Sequence, residues 1–182
     1  MHPRLAELSS FLTAQREALL SAASSVPRAR WSEPLAEGRW SVAQVLDHLY
    51  RVETGTARLL AKRVTAARAA GHPLETETSS VLHAFDGRGL DDRSAPFEAP
   101  EIVRPDANAD AATTLASLQE SRASMLESIR LADGLALGSI KHTHLRFGEI
   151  DLYQWILFVG LHEKRHAHQL AEVAGQLNSA TR

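Results

Sequence analysis

The stretch from Leu152 to Val173 reads LYQWILFVGLHEKRHAHQLAEV. Trp155, Phe158, Val159, His162, His166, Gln169, Leu170 and Val173 recur at steps of three, four and seven, which places them on one stripe of an α-helix. A stripe this apolar faces a core, so His162 and His166 stack one turn apart and point inward. Buried imidazoles need partners. Side-chain bonds could serve, but one metal ion satisfies both rings, and histidines four apart on a helix are a common chelating pair. His48 follows Val45 by three residues and precedes Val52 by four, at the edge of another apolar face, and supplies a third imidazole. Three neutral imidazoles leave the charge of a divalent ion uncompensated and coordination positions open, the pattern of a catalytic rather than a structural site. Such an ion lowers the pKa of bound water towards ~7, or holds a substrate thiol as thiolate. Zinc is the first choice; nickel, iron and manganese also suit imidazole ligands. Gln169 lies three residues after His166 on the same face, where it can bond a metal-bound water or ligand, or simply fill a polar gap.

His162-Glu163-Lys164-Arg165-His166 also fits the HExxH pattern of zinc proteases, with Glu163 as base. The context argues against it. The longer metzincin pattern needs Gly at 169 and His at 172, where the chain has Gln169 and Glu172. No strand-rich region precedes the helix to hold a peptide by sheet extension.

Four helices must position these residues. The first spans residues 3 to 26, with Pro3 in its first turn and Leu5, Leu8, Leu12, Leu19 and Ala23 on its apolar side; Pro27 ends it. The second starts at Ser41, where Ser41 and Gln44 fit a capping box and Trp40 and Val45 a hydrophobic staple, and runs to about Ala70 with Asp47 directed away from the site. Residues 71 to 106 show no sustained period and are expected to form a long loop that could cover one end of the domain as a lid. The third helix follows Pro105 to Asp110 and runs to about Ala132. Its stripe of Ala111, Leu115, Leu118, Met125 and Ile129 is broken by Arg122. That guanidinium either snorkels to water, pairs with a buried carboxylate, or faces the metal cavity and anchors an anionic cosubstrate. Residues 135 to 150 read as a connection without a convincing strand. Asp151 caps the fourth helix with Gln154, and Gly175 is its expected stop. The fold class is therefore all-α: one domain over residues 1–182, a four-helix bundle with a long crossover loop between helices 2 and 3.

The chain has 182 residues, 44% hydrophobic and 23% charged, ordinary for a globular protein. A net charge of −2 with scattered basic residues gives no electrostatic case for nucleic acid. Cysteine is absent, which excludes disulfides, thiolate ligands and a cysteine nucleophile, so any thiol must arrive with a substrate. Charges at Arg4, Glu7, Arg16 and Glu17 break any signal-peptide core, and the longest apolar run, Trp155 to Leu161, is too short to span a membrane. A cytoplasmic protein is expected.

The chain resembles the DinB/YfiT-like superfamily of metalloenzymes, in particular the DinB-like two branch. The matching pieces are WSVAQVLDHL from Trp40 to Leu49, Ala99-Pro100-Glu101 with Pro105, His144 with Phe147-Gly148, and Tyr153-Gln154-Trp155 leading into HEKRHAHQ. Leu145 stands where the pattern has proline. The resemblance implies a four-helix bundle with His48, His162 and His166 as metal ligands, and a homodimer. It also implies transferase or isomerase chemistry with a low-molecular-weight thiol of the bacillithiol or mycothiol kind and an electrophile. A metal-water hydrolase at the same site and a non-catalytic, stress-associated metal-binding protein are the alternatives.

Overall fold

The computed structural model describes residues 1–34, 38–85, 90 and 98–180, with side chains as far as Gly175. Four helices form the bundle: α1 (Pro3–Ser24), α2 (Val42–Ala69), α3 (Ala111–Leu131) and α4 (Leu152–Ala180). Local chemistry sets their starts. Ser41 Oγ accepts from Gln44 N at 3.1 Å while Gln44 Oε1 accepts from Ser41 N at 2.9 Å. Asp151 and Gln154 make the same reciprocal pair at 2.9 Å each, and Asp110 Oδ1 caps Ala112 and Thr113 at the head of α3. These bonds satisfy amides that a helix leaves without internal partners. Gly175 does not end α4, which continues to Ala180. Its φ is not positive, so it keeps helical geometry instead of forming a left-handed cap.

α1 packs chiefly on α4, and α2 on α3. α2 and α3 run in the same direction, since Glu53 meets Arg122 and Arg68 reaches the Leu131 carbonyl. The chain between them must therefore travel back along the bundle. Within that connection Val81, Phe85 and Leu90 are buried in the core, and Glu101–Val103 forms a single tight turn. Residues 86–89 and 91–97 of the expected lid lie outside the described residues. Gly160 brings α1 close to α4, because a Cβ there would overlap the ring of Phe11.

Between α3 and α4 the chain is not a plain connection. It forms an antiparallel hairpin of β1 (Lys141–His144) and β2 (Gly148–Asp151), in register His142↔Ile150 and His144↔Gly148. Gly148 takes φ +72°, the left-handed conformation that closes a three-residue hairpin loop.

The core is two apolar clusters divided by a polar layer. Leu12, Ala57, Met125 and Val159 belong to one cluster; Leu19, Leu49, Leu118 and Ala167 belong to the other. Between them each helix contributes one charged residue: Arg16, Glu53, Arg122 and Glu163. Arg16 donates to Glu163 Oε1 and to Glu53 Oε2, both at 2.7 Å. Arg122 donates to Glu53 Oε1 at 2.6 Å and to Glu163 Oε2 at 2.9 Å. The remaining guanidinium nitrogens take the Leu118 and Leu12 carbonyls, and Ser121 Oγ adds a bond to Glu53. Two positive and two negative groups cancel, and nearly every polar atom is satisfied, the condition under which buried ion pairs are tolerated.

Candidate metal centre

Nearly two turns into α2 and midway along α4, three histidines converge. His162 Nε2 lies 3.3 Å from His48 Nε2 and 3.2 Å from His166 Nε2. His48 and His166 are only 5% and 7% exposed. Nitrogens bound ~2.0–2.1 Å from a tetrahedral ion stand ~3.3–3.4 Å apart, so the two spacings about His162 fit a shared ion.

The outer ring nitrogens fix what the inner ones can do. His48 Nδ1 faces the Val103 carbonyl at 2.7 Å. A carbonyl only accepts, so Nδ1 carries the hydrogen and Nε2 presents a lone pair. With the Gln169 amide oxygen turned to it at 2.9 Å, His166 Nδ1 is likewise the donor and its Nε2 is again a lone pair. His162 Nε2 stands between these two acceptors and could donate to only one of them. Its own Nδ1 is buried without a hydrogen-bond partner among the described residues. Neither tautomer of His162 is thus fully satisfied by protein alone; a cation would take up all three Nε2 lone pairs and leave only the His162 Nδ1–H without a partner among the described residues. Burial, with the neighbouring His166 and His48, holds His162 well below the ordinary histidine pKa; burial lowers His48 too, partly offset by its Val103 bond and Asp47. The His48 and His162 rings are neutral near pH 7, the form that binds metal.

The group forms part of the wall of a cavity of about 940 Å³, lined also by Trp40, Val52, His144, Trp155 and Phe158. No Asp or Glu lines it among the described residues.

The expected residues divide between two places. His48, His162, His166 and Gln169 are brought together at the cavity. Gln169 supports His166 and also faces the open space. Arg122 is elsewhere: it lies in the polar layer, bonded to Glu53, Glu163 and Leu12, and does not line the metal cavity. Glu163 is 1% exposed in the same layer, where burial pushes its carboxyl up against the pull of Arg122 and Arg16. His168 is exposed, on the other side of α4 from His166, as ~100° of rotation per residue requires. Asp47 turns from the site but is buried, accepting from Arg51 Nε and from the Asp106 amide at 2.8 Å each, which ties the approach to α3 onto α2. The Val103 carbonyl was not readable from sequence, because a backbone acceptor has no residue-type signal.

Fold and site define a four-helix bundle with a buried three-histidine group that could hold a metal ion. The chain belongs to the DinB superfamily, whose family model matches residues 12–170. It is 29% identical over 155 residues to the uncharacterized protein YuaE of Bacillus subtilis (strain 168), covering 81% of this chain and 85% of that one. The crystal structure of TT2238, a four-helix bundle protein, matches with a TM-score of 0.60 at 25% identity, over 92% of this chain and 98% of that chain. Among the described residues no helix is long and apolar enough to cross a membrane.

Proposed function

We propose that the protein is a metal-dependent enzyme that transfers a low-molecular-weight thiol of the bacillithiol or mycothiol kind to an electrophile. One observation carries this reading: three imidazole Nε2 atoms converge on the wall of an open cavity of about 940 Å³. A divalent ion held there, zinc first, supplies the Lewis acidity that keeps a thiol ionised at neutral pH. The chain itself has no cysteine, so the sulfur comes with the cosubstrate. Val103 and Gln169 orient the ligands from behind, and Trp155 and Phe158 give the cavity an apolar wall on the α4 side. Arg122 acts in the polar layer rather than as an anchor for the cosubstrate. A hydrolase of the HExxH type is disfavoured, since Glu163 is already bonded to two arginines. A homodimer accompanies this reading through the family likeness, and sedimentation or light scattering at working concentrations checks it.

The test is direct. Purified protein is analysed for metal, then assayed with monochlorobimane and bacillithiol, mycothiol, glutathione or coenzyme A. Thiol-dependent product that disappears in H162A supports the reading. Full activity in H48A and H162A, or hydrolysis without any thiol requirement, would overturn it.

A further inference from the structure

The hairpin β1–β2 has its own fastening. Arg63 on α2 lies with Nη2 2.6 Å from His142 Nδ1, and Trp155 Nε1 on α4 donates to the His142 carbonyl at 3.2 Å. Strand alternation puts His144 on the same face as His142, half-buried and on the cavity wall. Three aromatic rings hold the imidazole: Phe147 at 4.6 Å, Trp155 at 4.8 Å and Phe158 at 4.7 Å between centroids. Phe158 in turn stacks on His162, with 5.3 Å between centroids and 14° between planes.

The backbone fixes the tautomer of His144. The Arg146 amide donates to its Nδ1 at 3.0 Å. An amide N–H only donates, so Nδ1 offers a lone pair and the ring hydrogen sits on Nε2. Burial, reinforced by the Arg146 charge, pushes His144 down to about 4, so the ring stays neutral with that single hydrogen at physiological pH. Nε2 has no hydrogen-bond partner among the described residues, yet it is not among the sealed, unpartnered nitrogens. An oriented donor, open at the wall of the metal cavity, suits an acceptor that arrives with a ligand.

We propose that His144 donates its Nε2–H to an oxygen acceptor, a carbonyl or carboxylate, on the ligand in the cavity, and so orients that ligand relative to the three-histidine group. This rests on the cavity being a metal-centred substrate site, and does not require that the nucleophile be a thiol. It narrows the electrophile to compounds activated or anchored by a carbonyl or carboxylate oxygen. A neutral ring polarises such an oxygen without giving up its proton, so no proton transfer is assigned to it.

The probes are propionate and succinate, titrated into cobalt(II)-loaded protein and followed by the cobalt visible spectrum. Propionate offers a single carboxylate, for the metal; succinate offers a second, which the proposal assigns to His144. H144F, which keeps a packed ring, should weaken succinate about tenfold and leave propionate nearly unchanged, the effect of one lost hydrogen bond. H144Q, which presents an N–H near the position of Nε2, should stay within about threefold of wild type, whereas the shorter H144N should behave like H144F. The H144Q and H144N pair decides the matter even if H144F folds poorly. Histidine nitrogen NMR of the zinc-loaded protein gives an independent reading: His144 should carry its hydrogen on Nε2, and that resonance should move on adding succinate. Unchanged succinate binding in H144F and H144N, no response to either acid, or a hydrogen on Nδ1 would overturn the proposal. Failure to take up cobalt strikes instead at the metal reading. The NMR titration then decides for His144 alone, an unmoved Nε2 counting against it.

Discussion

His162 and Glu163 are neighbours in the chain, yet their side chains end in separate chemistry: His162 Nε2 lies between His48 and His166, while Glu163 lies between Arg16 and Arg122. The HExxH pattern thus joins a member of the three-histidine group to a structural ion pair. E163Q should keep its metal, because no ligand is touched, but should lose stability. Removing one partner of a buried pair costs ~3–5 kcal/mol, since the remaining guanidinium charge is left uncompensated. Chemical denaturation and metal analysis on the same sample check both halves. Loss of activity in E163Q at full stability would restore Glu163 as a catalytic base.

Arg122 closes the same layer from α3. R122M keeps the bulk of the side chain and removes its charge, leaving Glu53 and Glu163 to share Arg16. Stability should fall by a similar ~3–5 kcal/mol, while the Michaelis constant for thiol should not move at temperatures where the variant is folded. The double variant R122M/E163Q removes one charge of each sign and should be less destabilised than the sum of the singles. A raised thiol constant at unchanged stability would assign Arg122 to cosubstrate binding after all.

The three ligands should act as a unit. H48A, H162A and H166A should each lose stoichiometric metal by mass spectrometry, while H168A, altered on the exposed side of α4, should retain it. Zinc at a hundredfold excess over its dissociation constant adds ~2.7 kcal/mol to the folded state, so it should raise the melting temperature of wild type and H168A but not of H162A. Equal stabilisation of all four variants would mean that zinc binds elsewhere.

Much of this architecture is readable from local sequence chemistry. Apolar periodicity places four helices, and the Ser41–Gln44 and Asp151–Gln154 pairs fix two starts because both partners lie within one turn. The three-histidine group is legible for the same reason: His162 and His166 share a stripe, and His48 sits on another apolar face. What escapes is long-range or too short. Arg16 and Glu53 read as single charges until folding brings them to Arg122 and Glu163 from other helices. The strands Lys141–His144 and Gly148–Asp151 hold four residues each, with too little apolar alternation to announce a sheet. His144, quoted for its family match alone, gains its chemistry only from the Arg146 amide two residues on.

The lowered histidine pKa values give stability a definite pH dependence. In the unfolded chain these rings protonate near ~6.5, whereas in the folded, metal-free protein His48 and His162 protonate below that value and His144 at about 4. Below ~6.5 the unfolded state therefore binds more protons. The stabilising contribution is fully present above the unfolded value and is lost as pH falls towards the folded ones. Urea denaturation of metal-free protein should give a clear drop in stability between pH 7.5 and 5.5, and the drop should be smaller in H162Q. Zinc affinity should stay nearly level through ~6.5 and decline only well below it, since protons compete only once the unbound His48 and His162 protonate. A decline already under way at ~6.5 would place their pKa values in the ordinary range.

Gln169 separates ligand support from substrate contact. Its Oε1 accepts from His166 Nδ1 at 2.9 Å, which keeps the hydrogen on that nitrogen and the lone pair of Nε2 directed inward. Q169L keeps the size of the side chain but removes the acceptor from His166 Nδ1, so metal affinity should fall about 10–100-fold, the usual effect of losing a hydrogen-bond acceptor behind a metal-bound histidine. Q169E retains an acceptor, strengthened by its charge, and should hold metal at least as tightly as wild type. The readout is a competition titration against a zinc chelator, independent of turnover. If Q169L binds zinc like wild type but requires more thiol or electrophile for half-maximal rate, Gln169 acts on the ligand in the cavity and His166 is positioned by the packing of α4 alone.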